Sequence, residues 1–155
     1  MKEAWSGIDV QLKRRHDLIP NILESVCGYE HYERKLFEDI TVIRSRVMAA
    51  DDIRIKAEEE KNLSCALRKV FALVEAYPQL KANQLFLDLQ KNLSEIEDQI
   101  QLSRRYYNGT VRNYNTCVES FPGIIVASLF NFKQGEFFEI EYATERHVPD
   151  IKFNL

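Results

Sequence analysis

Residues 105–118 read RYYNGTV-RNYNTCV, one heptad written twice: Arg105 and Arg112, Tyr107 and Tyr114, Asn108 and Asn115, Val111 and Val118. Seven residues make two helical turns, so each pair lies on one face of a helix. Extending the register both ways gives a seam of Phe86, Leu89, Leu93, Ile96, Ile100, Ser103, Tyr107, Val111, Tyr114, Val118 and Phe121. The spacing predicts one helix from Asn83, a good N-cap, to Phe121, where Phe121-Pro122-Gly123 stops it. At ~1.5 Å per residue that helix is ~57 Å long.

The rest of the chain carries the same period. A first helix is predicted over 2–48, with seam residues Ile8, Leu12, Ile19, Ile22, Val26, Tyr29, Leu36, Ile40, Ile43 and Val47, and with Arg15 and Glu33 in two vacant seam positions. Pro20 lies inside it and removes a backbone donor, which predicts a kink or a break at Asp17–Pro20. Ala50-Asp51-Asp52 reads as a turn, with Asp51 or Asp52 capping a second helix over 52–77. Its seam is Ile53, Lys56, Glu60, Leu63, Leu67, Val70, Val74 and Tyr77, and the run Glu58-Glu59-Glu60 reads as a solvated face. Pro78 ends it. A short helix is expected near 124–131. The predicted fold is all-α: an elongated up-and-down bundle of three long helices and a short C-terminal one, with the third helix parallel to the first. Residues 1–132 form the bundle domain, and 133–155 an extended tail docked by Phe153.

Composition agrees with this. Only five Gly and four Pro in 155 residues are too few turn-formers for many short strands. The net charge of −3 argues against a nucleic-acid partner. The longest apolar run, Ile124–Phe130, is far short of the ~20 residues a membrane span needs. Cys27, Cys65 and Cys117 show no C-x-x-C spacing and read as free, small buried hydrophobes.

Several separated motifs in order resemble the LemA family. They are Ala4-Trp5, Ile8 through Asn21, Glu75-Ala76-Tyr77-Pro78-Gln79-Leu80-Lys81-Ala82-Asn83 with Phe86 and Leu89-Gln90, and Tyr107-Asn108 through Tyr114-Asn115 to Phe121-Pro122. The likeness covers nearly the whole chain and is weakest from Lys133 onward. It implies an up-and-down bundle in a bacterial protein with one transmembrane helix just before this segment, the cytoplasmic side being favoured. The anchor's absence here is read as a shortened chain or as a member without one. The family brings no established enzymatic activity.

The candidate interaction or structural positions are Arg14, Arg15, His16, Asp17, Arg105, Tyr107, Asn108, Arg112, Tyr114 and Asn115. Lys13-Arg14-Arg15-His16-Asp17 could meet anionic lipid or a partner's carboxylates; alternatively Arg15, on the seam, pairs with an acid on another helix. Arg104, Arg105 and Arg112 could form a basic stripe offset by Glu95, Glu97 and Asp98. The Tyr-Asn layers read as buried polar layers that fix register. Gly109 between them predicts a close approach by a neighbouring segment. His16, His31 and His147 lack metal-ligand spacing, and no catalytic, cofactor or metal motif is present. The sequence reading is therefore a non-enzymatic, membrane-tethered scaffolding module with a protein or membrane-surface partner and no cofactor. The alternative is a sensor that binds a peptide or small ligand between helices; an enzyme with a cleft beside Arg15 comes third.

Overall fold

The structure, a computed structural model, describes residues 1–27 and 34–139. These form α1 (Lys2–Cys27), α2 (Arg34–Ala49), α3 (Ile53–Glu75), α4 (Pro78–Lys81), α5 (Gln84–Glu119) and α6 (Gly123–Phe130), with no strand among the described residues. The bundle is all-α, as the period dictates. The caps are local and follow the sequence. Asp52 accepts from Arg54 N at 2.8 Å and Ile55 N at 3.1 Å to start α3. Asn83 accepts from Leu85 N and Phe86 N to start α5. Pro78 follows the end of α3 and takes the first position of α4, where its missing N–H costs nothing.

The long first helix is the main correction. Arg44 Nε donates to the His16 carbonyl at 3.0 Å. A continuous helix would hold these residues ~42 Å apart. With His16 and Arg44 level, parallel α1 and α2 would have to be joined across ~31 Å. Six intervening residues reach at most ~25 Å, so α2 lies antiparallel beside α1. The same bond answers Pro20. A proline there leaves the carbonyl of residue 16 without its helical donor, and the Arg44 guanidinium supplies one. The backbone stays helical through Pro20, so the chain is not broken there. Tyr29 and Glu33 of the expected seam lie outside the described residues.

Cross-helix pairs set the directions. Trp5 meets Tyr107 at 5.4 Å between ring centroids and Arg15 meets Glu97 at 2.7 Å, so α5 is antiparallel to α1 rather than parallel. Asp9 pairs with Lys56 at 2.7 Å, and Arg15 with Glu60, so α3 is parallel to α1. Helices α1, α2, α3 and α5 thus run up, down, up, down, with α1 packed on α5 and α2 on α3.

Two apolar clusters fill the bundle. One joins all four helices through residues such as Ile22, Ile40, Val70 and Phe86. The other holds Ala4, Ile8, Leu12, Ala57, Ile96, Ile100, Tyr107 and Val111, and includes no α2 residue; Phe138 of the tail completes it. The tail replaces a helix at that end.

Candidate functional site

A charged layer lies between the two clusters. Arg15, flanked along α1 by Leu12 below and Ile19 above, is fully buried. Its Nη2 pairs with the Glu60 carboxylate, which is also fully buried. Its Nη1 donates to Glu97 Oε1 at 2.7 Å and to Ser64 Oγ at 3.0 Å. Ser64 in turn donates to the Glu60 carbonyl at 3.0 Å. His16 Nε2 stands 2.9 Å from Glu60 Oε1. Burial, reinforced by Arg15, Arg44 and Lys56, pushes His16 down to about 4 against a weaker upward pull from Asp17. With burial the largest cause, His16 stays neutral at pH 7. The layer joins α1, α3 and α5 at one height and fixes their axial register.

The doubled heptad forms the second assembly, and it grips the tail's main chain. Asn115 accepts from Gly135 N at 2.7 Å and donates to Gly135 O at 3.1 Å. One heptad earlier, Asn108 accepts from Phe138 N at 2.9 Å and donates to Phe138 O at 3.1 Å. The tyrosines repeat the step: Tyr114 OH donates to Lys133 O at 3.1 Å, and Tyr107 OH to Glu136 O at 3.0 Å. Seven helical residues rise ~10.5 Å, and three extended residues cover ~10 Å. Each heptad of α5 therefore meets three tail residues. Burial raises the Tyr107 phenol above its ordinary value, and the Glu136 charge pushes the same way, so it remains a donor. Side chains close the seam. Phe138 is fully buried, with its ring edge-on to Trp5 at 5.3 Å. Gly135 fits between Val111 and Met1, where a Cβ would run into the Met1 side chain. Arg54 at the start of α3 reaches Glu136 at 2.9 Å.

The structure thus splits the ten candidate positions. Arg15 and His16 enter the charged layer; Tyr107, Asn108, Tyr114 and Asn115 hold the tail. Arg14 and Asp17 are exposed and line an open groove of about 800 Å³ between α1 and α5, facing Asn92, Glu95 and Asp98. Arg105 and Arg112 are exposed on α5. Glu97, assigned to offset that stripe, turns inward to Arg15. Glu60 is buried rather than part of a solvated run; its seam position was the signal, and the neighbouring acids masked it. The tail docks through Phe138, while Phe153, like His31 and His147, lies outside the described residues. Gly109 admits no neighbour: a Cβ there meets no described atom within 4 Å. Cys65 and Cys117 are free thiols but exposed, against the expectation of burial. Among the described residues no group of three His, Cys, Asp or Glu converges as metal ligands.

A helical bundle pinned by a buried charged layer, with a tail strapped to its longest helix, is the class these features define. The chain belongs to the LemA family, whose sequence model matches residues 4–153. It is 29% identical over 122 residues to a protein named LemA from Metamycoplasma hominis, covering 78% of this chain and 56% of that protein. It is 31% identical over 74 residues to magnetosome protein MamQ 2 of Paramagnetospirillum magneticum, covering 48% of this chain and 27% of that one. The magnetosome protein MamQ of Magnetospirillum gryphiswaldense matches at 29% over 73 residues, 47% and 27% of the two chains. The chain therefore spans about half, or less, of the relatives it matches.

Proposed function

We propose that this chain is the bundle domain of a membrane-tethered scaffolding or interaction module that performs no catalysis of its own. The observation that carries this reading is where the converging polar groups point. Arg15, Glu60 and Glu97 engage one another, and the Tyr-Asn pairs engage the chain's own tail. Family membership and the likeness to magnetosome proteins support a membrane setting. The tether would be a segment beyond this chain, entering at the Met1 end. Fractionation of cells making the full-length protein tests it: the protein should stay in the membrane pellet through alkaline carbonate washing. Recovery in the soluble fraction would refute the tether. The non-catalytic half has its own test. An Arg15→Met/Glu60→Leu pair that keeps the fold should keep the biological role; loss of role with the fold intact would point to a ligand or catalytic site at the charged layer.

A second reading, a peptide-binding sensor, has one specific observation in its favour. The Tyr-Asn pairs read main-chain groups of an extended segment, and other extended peptides present the same groups.

A further inference from the structure

We propose that α6 is a bilayer-docking tip, at which the segment 120–132 enters the interfacial region of a lipid membrane. This rests on the tethered reading and names the element of the bundle that meets the lipid. The segment reads SFPGIIVASLFNF, thirteen residues without a charge, bracketed by Glu119 and Lys133. Its large side chains face outward: Phe121 is 81% exposed, Leu129 78%, Phe130 65% and Ile125 59%. Such a contiguous apolar patch marks an interaction surface.

The shape of the patch selects the occupant. At ~100° per residue, Ile124, Ile125, Leu129, Val126 and Phe130 fall near 0, 100, 140, 200 and 240° around the axis. The exposed arc, apolar but for the small Ser128 near 40°, thus covers about two-thirds of the helix; Ala127 is its one buried side chain, and Gly123 lies against the Cys117 backbone. A protein groove, or the flat face of a second copy, takes one stripe of a helix. A lipid phase accepts the whole arc. Eight residues span ~12 Å against a hydrocarbon core of ~30 Å, so α6 docks and does not cross. Its ends carry internal bonds: Ile124 N donates to Ser120 O at 2.8 Å, and Phe132 N to Ala127 O at 2.9 Å. Few main-chain groups would therefore enter lipid unpaired.

Position agrees. Met1 is level with Val111, and α5 runs on to Glu119, ~12 Å further. There α6 packs on α5. From Lys133 to Phe138 the tail runs back along α5, antiparallel to it and away from α6. The apolar tip and the start of α1 thus share one end of the molecule, where a tether entering at Met1 would bring the tip to the bilayer.

The 155-residue chain, whose described residues hold no helix long and apolar enough to cross a membrane, is floated with vesicles of phosphatidylcholine alone and of phosphatidylcholine with phosphatidylglycerol. It should rise with both. Ile125→Ser/Leu129→Ser/Phe130→Ser should cut the bound fraction at least about tenfold, with unchanged urea unfolding because all three side chains are exposed. Leu129→Ser alone, the mildest change, should weaken binding and guards against a misfolded triple variant. Failure to float with either vesicle would overturn the proposal. So would binding that needs the anionic lipid and ignores the triple change, or a dimer in solution that the triple change dissolves while vesicles bind nothing. Because the flotation uses these 155 residues and the cell fractionation the full-length protein, each of these results leaves the test of the tether untouched.

Discussion

Arg15 occupies a position where the seam asks for leucine, and its burial makes it costly to disturb. Arg15→Ala strands Glu60 without its counter-charge, and urea unfolding should show a loss of about 3–5 kcal/mol. Replacing the pair with Arg15→Met/Glu60→Leu should recover most of that, since apolar residues of similar volume avoid desolvating two charges. His16 gives the layer a pH signature. Its folded value, about 4, lies below the ordinary 6.5, so between the two the unfolded chain binds the extra proton. The stability it contributes is present above about pH 6.5 and is lost as pH falls toward 4, by up to about 3 kcal/mol. His16→Gln should flatten that slope in unfolding curves taken across pH 4–7, leaving the carboxylates' own contribution below pH 5. Gly109 works the other way. Mid-helix, with no described atom within 4 Å of where a Cβ would go, Gly109→Ala should stabilise by about 0.5–1 kcal/mol in urea unfolding; a loss would refute this.

At the scale of elements, the tail is held by a few polar contacts and one aromatic plug. Asn115→Ala leaves both main-chain groups of Gly135 without their mates, a cost of about 1–3 kcal/mol. Hydrogen exchange should show that loss at the amides of Gly135 and Phe138 while the α3 core keeps its protection. The doubled heptad was legible because i and i+7 share a face whatever surrounds them. Its use was not, because the partner is extended chain with a three-residue step that no helical period reveals. Caps at Asp52 and Asn83 were legible for the same local reason. The division of 2–48 into α1 and α2 was not, since the apolar seam keeps its phase across the junction and the deciding bond, Arg44 to His16, joins residues 28 apart. That misreading also reversed α5 relative to α1. Glu60 shows the competing case: position on the seam outranked the acidic run around it.

Across the whole molecule, protection should be uneven. The four-helix cluster around Val70 and Phe86 should exchange slowest. Among the described helices of eight or more residues α6 should exchange fastest, for it buries Ala127 alone. Vesicles should slow α6 selectively. The lower end of the bundle depends on the match between α5 and the tail, which behave as two scales with different graduations that coincide at Asn115–Gly135 and again at Asn108–Phe138. Such a gauge tolerates new lettering but not a lost division. Phe137→Ala, altering a half-exposed side chain, should leave the fit intact. Deleting Phe137 brings the next residue, Glu139, to the level of Asn108 and slides an acid toward the Trp5 pocket. Trp5 fluorescence should then shift to the red as water reaches the indole, although the deletion changes the composition by a single phenylalanine. The tail's specification is thus written as a length.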